Sequence, residues 1–275
     1  MTAPTIDLDA YLRCIGYSGP REATLDALRH LHARHTETLP FENLDPLLGR
    51  PVSLEASALE SKLVRGGRGG YCFEHNLLFG YALRQLGFRV TWLAARVLWN
   101  MPEDALTPRS HMLLLVEVDG EPFIADVGFG AWTLTAPLRL ETNVEQMTPH
   151  EPFRLVQGDG GYRLQSRTGI GWRTLYRFDL EEQTLADYKM INYYLSTSPD
   201  SHFRRYVYMA RPGHGRRYVL VNNQFSVHHM NGATERHLLT SPVELRAAME
   251  SVFRVRLPDA PELDATLARL AADAA

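Results

Sequence analysis

The chain has 275 residues and is poor in cysteine, in long apolar runs and in net charge; each shortage excludes something. Two cysteines, Cys14 and Cys72, are too few for a disulfide framework, and in a reducing compartment both thiols stay free. The longest tight apolar run is Met112 to Val116, far below the roughly 20 residues of a membrane-spanning helix. The start, Met1 to Ala10, is acidic and lacks a charged-then-apolar leader pattern, so a cytoplasmic location without a membrane partner is expected. The formal charge is −3, and no basic block exceeds a pair such as Arg204-Arg205 or Arg216-Arg217, which argues against general nucleic-acid binding. Neither internal repeats nor low-complexity tracts occur. What remains, 45% apolar and 22% charged residues, is the composition of a folded protein with a substantial core.

Three textures follow one another. Up to residue 87 the periodicity is helical. Leu8, Tyr11, Leu12 and Ile15 share a face, and Gly16 supplies a stop. A second helix is expected from Pro20 with Leu25, Leu28 and His32, a third from about Ser53 to Val64, and a fourth from Cys72 to Gly87. Residues 88–180 read as strands. Phe88–Leu98 is a β-branched and aromatic run, and His111–Val118 and Glu121–Val127 flank the hairpin signal Asp119-Gly120. Two more strands flank Gly158–Gly161, and Trp172–Phe178 comes after them. Residues 181–275 are mixed. A helix is expected over Leu180–Leu195, strands over Tyr218–Val221 and Gln224–Met230, a helix opened by the capping box at Ser241 and reaching about Phe253, and a last one from Pro261. Helices, then strands, then a mixture indicate an α+β architecture rather than repeated βαβ units.

The sharpest local feature is Arg65-Gly66-Gly67-Arg68-Gly69-Gly70-Tyr71-Cys72-Phe73-Glu74-His75-Asn76. A glycine-rich loop runs straight into a helix whose first turn holds Cys72. Unpaired N–H groups and the positive dipole end favour a thiolate there and can hold a developing oxyanion. Burial as a small core residue is the alternative reading. The loop lacks the Gly-Lys-Ser/Thr ending of a phosphate-binding P-loop. Cys14, late in an amphipathic helix, reads as structural.

A nucleophilic thiolate needs a base, and the base an orienting carboxylate. If Asp119-Gly120 is a two-residue turn, Val118 faces Glu121, and His111 and Asp126 become diagonal neighbours on one face with Leu113, Leu115 and Ile124. A charged Asp on an apolar face needs a partner, and His111 is in range. The alternative is a pair that only pins two strands. His30, His32 and His35 lie on one helix without a carboxylate or cysteine to complete a metal site, so a wetted helical face is expected and no metal. His228 and His229 point to opposite sides of a strand and cannot share a metal. His75, one turn beyond Cys72, is left between a supporting role and none.

The Cys72 motif, the earlier Leu39-Pro40-Phe41-Glu42-Asn43-Leu44, His111 before its apolar strand, Ile124-Ala125-Asp126-Val127-Gly128-Phe129-Gly130, and Ser196-Thr197-Ser198-Pro199-Asp200-Ser201-His202-Phe203 together resemble the arylamine N-acetyltransferase family. The resemblance spans about residues 39 to 203 and fits bacterial members in length. It implies three domains, an N-terminal helical bundle, a central β-barrel and a C-terminal α/β lid, around a cysteine-protease-like catalytic core. It implies a Cys72–His111–Asp126 triad, acetyl-CoA as donor, and arylamines, hydrazines or arylhydroxylamines as acceptors. By the same resemblance Phe41, Phe129 and Phe203 would line the acceptor slot, and Thr107, Arg109 and Gly130 would meet the coenzyme. Oligomeric state is left open, a homodimer included.

Overall fold

The computed structural model describes residues 4–158, 160–169 and 171–272. The first helices form where capping chemistry meets an apolar stripe. Asp7 accepts the Ala10 N–H to open α1 (Leu8–Cys14), and Thr24 accepts the Ala27 N–H to open α2 (Leu25–Thr38). That cap moves the start of the second helix to Leu25, five residues beyond the expected Pro20. A two-residue strand, β1 (Phe41–Glu42), and a single turn, α3 (Leu44–Leu47), come next. α4 (Ala56–Leu59) continues as a wider π-helical turn through Arg65. α5 (Cys72–Gln85) is buried along most of its length, as the core helix of the bundle. The Glu74 carboxylate accepts the Tyr71 N–H at 3.0 Å and so fixes its first turn.

The central sheet holds β2 (Arg89–Val97), β3 (His111–Val118), β4 (Glu121–Ala125), β5 (Leu138–Arg139), β6 (Phe153–Gly158), β7 (Gly161–Thr168) and β8 (Gly171–Glu182). Their order is β5-β4-β3-β2-β8-β7-β6. Bridges from Thr142 to Leu155 and from Gln146 to Phe153 bring the two edges near each other, so the sheet is a nearly closed barrel. The β3–β4 register pairs Val118 with Glu121 and Leu114 with Ala125, as the hairpin argument requires. Asp119 and Gly120 both have positive φ, the type I′ geometry whose twist matches the strands. β8 runs to Glu182 because it pairs with β2 as far as Leu93, which corrects the expectation of a helix from Leu180. The helix α6 (Leu185–Thr197) starts only after Thr184, whose N–H donates to Asp187 at 2.8 Å.

After the one-turn α7 (His202–Arg205) come β9 (Tyr208–Gly213), β10 (Arg216–Val221), β11 (Gln224–His229) and β12 (Thr234–Leu238). They form an antiparallel sheet completed by β1, with Phe41 opposite Ala210. α8 (Pro242–Ala247), capped by Ser241 and Glu244 as expected, and α9 (Pro261–Ala272) cover it. Period-two alternation divides the core. Trp92, Met112 and Leu114 face the helices, whereas Leu93, Leu113 and Ile124 fill the barrel. A third cluster joins the C-terminal strands and helices to Leu44. Among the described residues, no helix is long and apolar enough to cross a membrane.

Candidate active site

Cys72 is the first residue of α5, and His111 the first of β3; Asp126 comes directly after β4. His111 and Asp126 meet where the hairpin register puts them. The His111 Nε2–H donates to Asp126 Oδ2 at 2.7 Å, since a carboxylate only accepts. The other ring nitrogen, Nδ1, is not used by Asp126, and Cys72 stands close enough to favour the charged form of this ring. All three side chains are buried, and Cys72 and His111 open onto one cavity. The Cys72 Sγ also lies 3.8 Å from the Ser110 carbonyl oxygen.

Asp126 is saturated with donors. Its Oδ2 also accepts the Tyr176 hydroxyl at 3.0 Å; Oδ1 accepts Asn76 Nδ2 and the Gly128 N–H, each at 3.0 Å. Burial alone would raise this carboxyl, but the His111 charge and these hydrogen bonds hold it below the usual range. Burial likewise opposes charge on His111, but Asp126, and then Cys72, overcome it and lift the imidazole to about 10. Asn76 is itself fixed by donating to the Met112 carbonyl and accepting the Val127 N–H. Gly128 has no alternative here, because a Cβ would sit 2.8 Å from the Cys72 Cα. Asn76 lies four residues after Cys72, a helical spacing that puts both on one face and that the sequence displays. Nothing in the sequence marks Tyr176.

The α2 histidines are not a wetted face: His32 and His35 are fully buried, and only His30 is exposed. They sit on the same stripe as Leu28 and Leu31, which carries them inward. The Pro40 carbonyl must accept from His75 Nε2 (3.1 Å), so His75 Nδ1 accepts from His35 Nε2 (2.9 Å), and His35 Nδ1 accepts from the Tyr11 hydroxyl (2.8 Å). Each tautomer is thereby determined. The string ends one residue before Phe41, in the cavity wall, so His75 does have a partnered, structural place. His32 Nε2 accepts the Asp126 N–H at 3.3 Å. Burial holds His32 and His75 down at about 4, and burial, followed by the neighbouring His75 and His32, holds His35 well below its ordinary value.

Below the glycine loop, Lys62 Nζ reaches Glu74 at 2.7 Å and Asp45 at 2.6 Å, while Arg68 reaches Glu42 at 2.8 Å. Burial pushes Glu74 up to about 7, against the pull of Lys62. This ionic base fixes the loop from behind.

The cavity has a volume of about 560 Å³. Phe41, Phe129, Phe203 and Gly130 all line it, together with Cys72 and His111. Thr107 and Arg109 do not. The Thr107 carbonyl accepts from Arg96, and Arg109 is held by Asp179 at 2.5 Å and Glu181 at 2.7 Å. Trp99, Trp132 and Tyr208 also line the cavity and escaped the sequence reading, as did the place there of His228, which that reading weighs only as a metal ligand. Trp99 and Trp132 stand one residue past the first strand run and two past Gly130, positions that carry no signal by themselves. The site combines a thiol at a helix start, a buried imidazole–carboxylate pair, and an aromatic wall that limits water, which is the equipment for acyl transfer through cysteine.

A family model described as N-acetyltransferase matches residues 24–262. The chain is 45% identical over 255 residues to an arylamine N-acetyltransferase of Escherichia coli, covering 92% of this chain and 90% of that protein. It is 42% identical over 269 residues to that of Mycobacterium tuberculosis, covering 96% and 95%. The solved structure of the Mycobacterium marinum arylamine N-acetyltransferase superposes with a TM-score of 0.93 at 40% identity, over 96% of this chain and all of that one. The same enzyme solved in complex with CoA gives 0.92 at 39%, over 96% of this chain and 99% of that one.

Proposed function

The chain belongs to the arylamine N-acetyltransferase family, and we propose that it moves an acetyl group from acetyl-CoA to an arylamine, arylhydrazine or arylhydroxylamine through an acetyl-cysteine on Cys72. The single observation that carries this reading is the 2.7 Å His111–Asp126 bond at a cavity that the Cys72 thiol also lines.

His111 holds the proton of Cys72, and the thiolate attacks the thioester carbonyl. The free N–H groups at the start of α5 face the oxyanion that develops. Collapse breaks the C–S bond of the donor, His111 protonates the departing CoA sulfur, and Cys72 keeps the acetyl group. Acetylation removes the contribution of Cys72 to the His111 charge, so the imidazole is a better base when the amine enters. The amine attacks, His111 takes its proton, and Cys72 leaves as thiolate, which restores the starting pair. Asp126 fixes the tautomer throughout.

A cavity of about 560 Å³ holds an aryl ring beside a thioester arm. Phe41, Phe129 and Phe203 form the aryl slot, and Gly130 borders the arm. Thr107 and Arg109, on the loop leading to His111, meet only the part of the coenzyme that extends beyond the cavity. In this reading residues 1–87 carry the nucleophile, 88–180 the base and its carboxylate, and 181–275 the cover.

Intact mass spectrometry after mixing with acetyl-CoA alone tests the scheme. The expected result is one acetyl adduct, absent in Cys72→Ala and discharged by an added arylamine. Transfer that persists in Cys72→Ala would end the covalent reading.

A further inference from the structure

Outside the Cys72 cavity, the barrel carries a second recess of about 110 Å³. Its lining includes Arg96, Arg109, Arg163 and Arg177, with Tyr162 and Phe178 beside them. Three of these arginines come from adjacent strands in one row: Arg96 pairs with Arg177 across β2–β8, and Arg177 with Arg163 across β8–β7. Like charges directly opposite each other weaken a sheet, so the row needs an anion to balance it.

Among the described residues, two carboxylates answer these four guanidinium groups, Asp179 and Glu181, and both are engaged by Arg109. Arg96 donates to the Thr107 carbonyl, and Arg177 reaches the Ala105 carbonyl at 3.5 Å; neither acceptor carries charge. The Nε of Arg163 is buried with no hydrogen-bond partner. Its guanidinium lies over Gly158, where a Cβ would come within 2.3 Å of Nη1, so the glycine makes the space it occupies. A tetrahedral dianion in the recess faces these guanidinium groups and cancels the two positive charges left over among the described residues.

We propose that this recess binds a phosphoryl dianion through Arg163, Arg177 and Arg96. It shares no lining residue with the Cys72 cavity, yet the two touch the same backbone: Arg96 and Arg109 line the recess, and their neighbours Val97 and Ser110 line the cavity. An anion here braces the loop between β2 and β3 that ends at His111.

The phosphoryl group can come from free phosphate or from the nucleotide end of a coenzyme, and one experiment separates them. The full chain is titrated calorimetrically with inorganic phosphate, and separately with adenosine 3′,5′-bisphosphate, at ionic strength held constant with chloride. The expected result is saturable one-to-one binding, weakened about tenfold or more in Arg163→Gln and in Arg177→Gln, each with a ligand-free melting temperature no lower than that of the wild type. Arg163→Lys keeps the charge but loses the planar fork, and it weakens binding as well. If the bisphosphate binds more tightly and Arg163→Gln raises the KM for acetyl-CoA, the nucleotide is the source. Equal binding with an unchanged KM assigns free phosphate. Heat that does not saturate, or equal affinity in wild type and Arg163→Gln, overturns the site. The binding readout does not depend on acetyl transfer.

Discussion

Replacing Asp126 with Asn keeps the volume and removes the charge, and the surrounding donors dictate how the new side chain must sit. Asn76 Nδ2 and the Gly128 N–H both point at Oδ1, and neither can turn into an acceptor. The new amide must therefore keep its oxygen there and present its NH₂ where Oδ2 now meets His111 and Tyr176. The Tyr176 hydroxyl can rotate to accept. The imidazole can only answer by offering a lone pair at Nε2, which moves its proton to Nδ1, the nitrogen that faces Cys72. A neutral ring protonated on that side cannot take the thiol proton. The carboxylate is also the main counterweight to burial in lifting His111 from 6.5 to about 10, a preference of about 5 kcal/mol for the charged ring. Without it only the smaller contribution of Cys72 opposes burial, and the ring is expected to be neutral at pH 7. The same exchange in a serine triad costs on the order of 10⁴ in kcat, and a loss of at least about 10³ is expected here. The assay is arylamine-dependent release of CoA thiol, run beside histidine ¹⁵N spectra at pH 7. The spectra should show an imidazolium in the wild type and an Nδ1–H neutral ring in the variant. A folded Asp126→Asn protein with kcat/KM within about tenfold of wild type, or with its imidazolium intact, would refute the reasoning.

Gly128→Ala places a Cβ 2.8 Å from the Cys72 Cα and 3.0 Å from Asn76 Nδ2, both on a rigid buried helix, so a destabilisation of about 1–3 kcal/mol and a fall in kcat larger than any change in KM are expected; urea unfolding and steady-state kinetics check it, and a wild-type kcat would show that the contact relaxes freely. His32, His35 and His75 have folded-state pKa values below the ordinary 6.5, so the unfolded chain binds more protons as pH falls and stability drops between about pH 6.5 and 4. Together the three contribute a slope of up to ~4 kcal/mol per pH unit near pH 5, which Glu74, raised to about 7 and protonated first in the folded state, partly offsets. His35→Gln should lower that slope by about a third, and a urea midpoint unchanged from pH 6.5 to 5 in the wild type would contradict it.

The positions of Cys72, His111 and Asp126, the triad proposed above, were legible because each hangs on a local rule. Asp119-Gly120 needs positive φ at two positions, which fixes the hairpin register, and the register fixes which residues face His111. A glycine loop entering an apolar helix fixes Cys72 at a helix start. The errors arose where a local rule met a long-range partner. Leu180 to Glu182 could extend a strand or begin a helix, and pairing with β2 decided for the strand. His32 and His35 were read by polarity, although the helical spacing from Leu28 had already turned them inward, where Tyr11 and His75 satisfy His35. The cavity wall was beyond any local rule. Phe41 lies against the C-terminal sheet because β1 pairs with β9, and Asn43 ties that junction by accepting the Tyr208 N–H at 2.7 Å and donating to the Phe203 and Tyr206 carbonyls. Cys72 and the His111–Asp126 pair are set by neighbours in sequence, whereas the cavity in front of them is closed by strands drawn from distant parts of the chain. Changes in acceptor preference are therefore expected to map to the β1–β9 junction and to leave Cys72, His111 and Asp126 untouched.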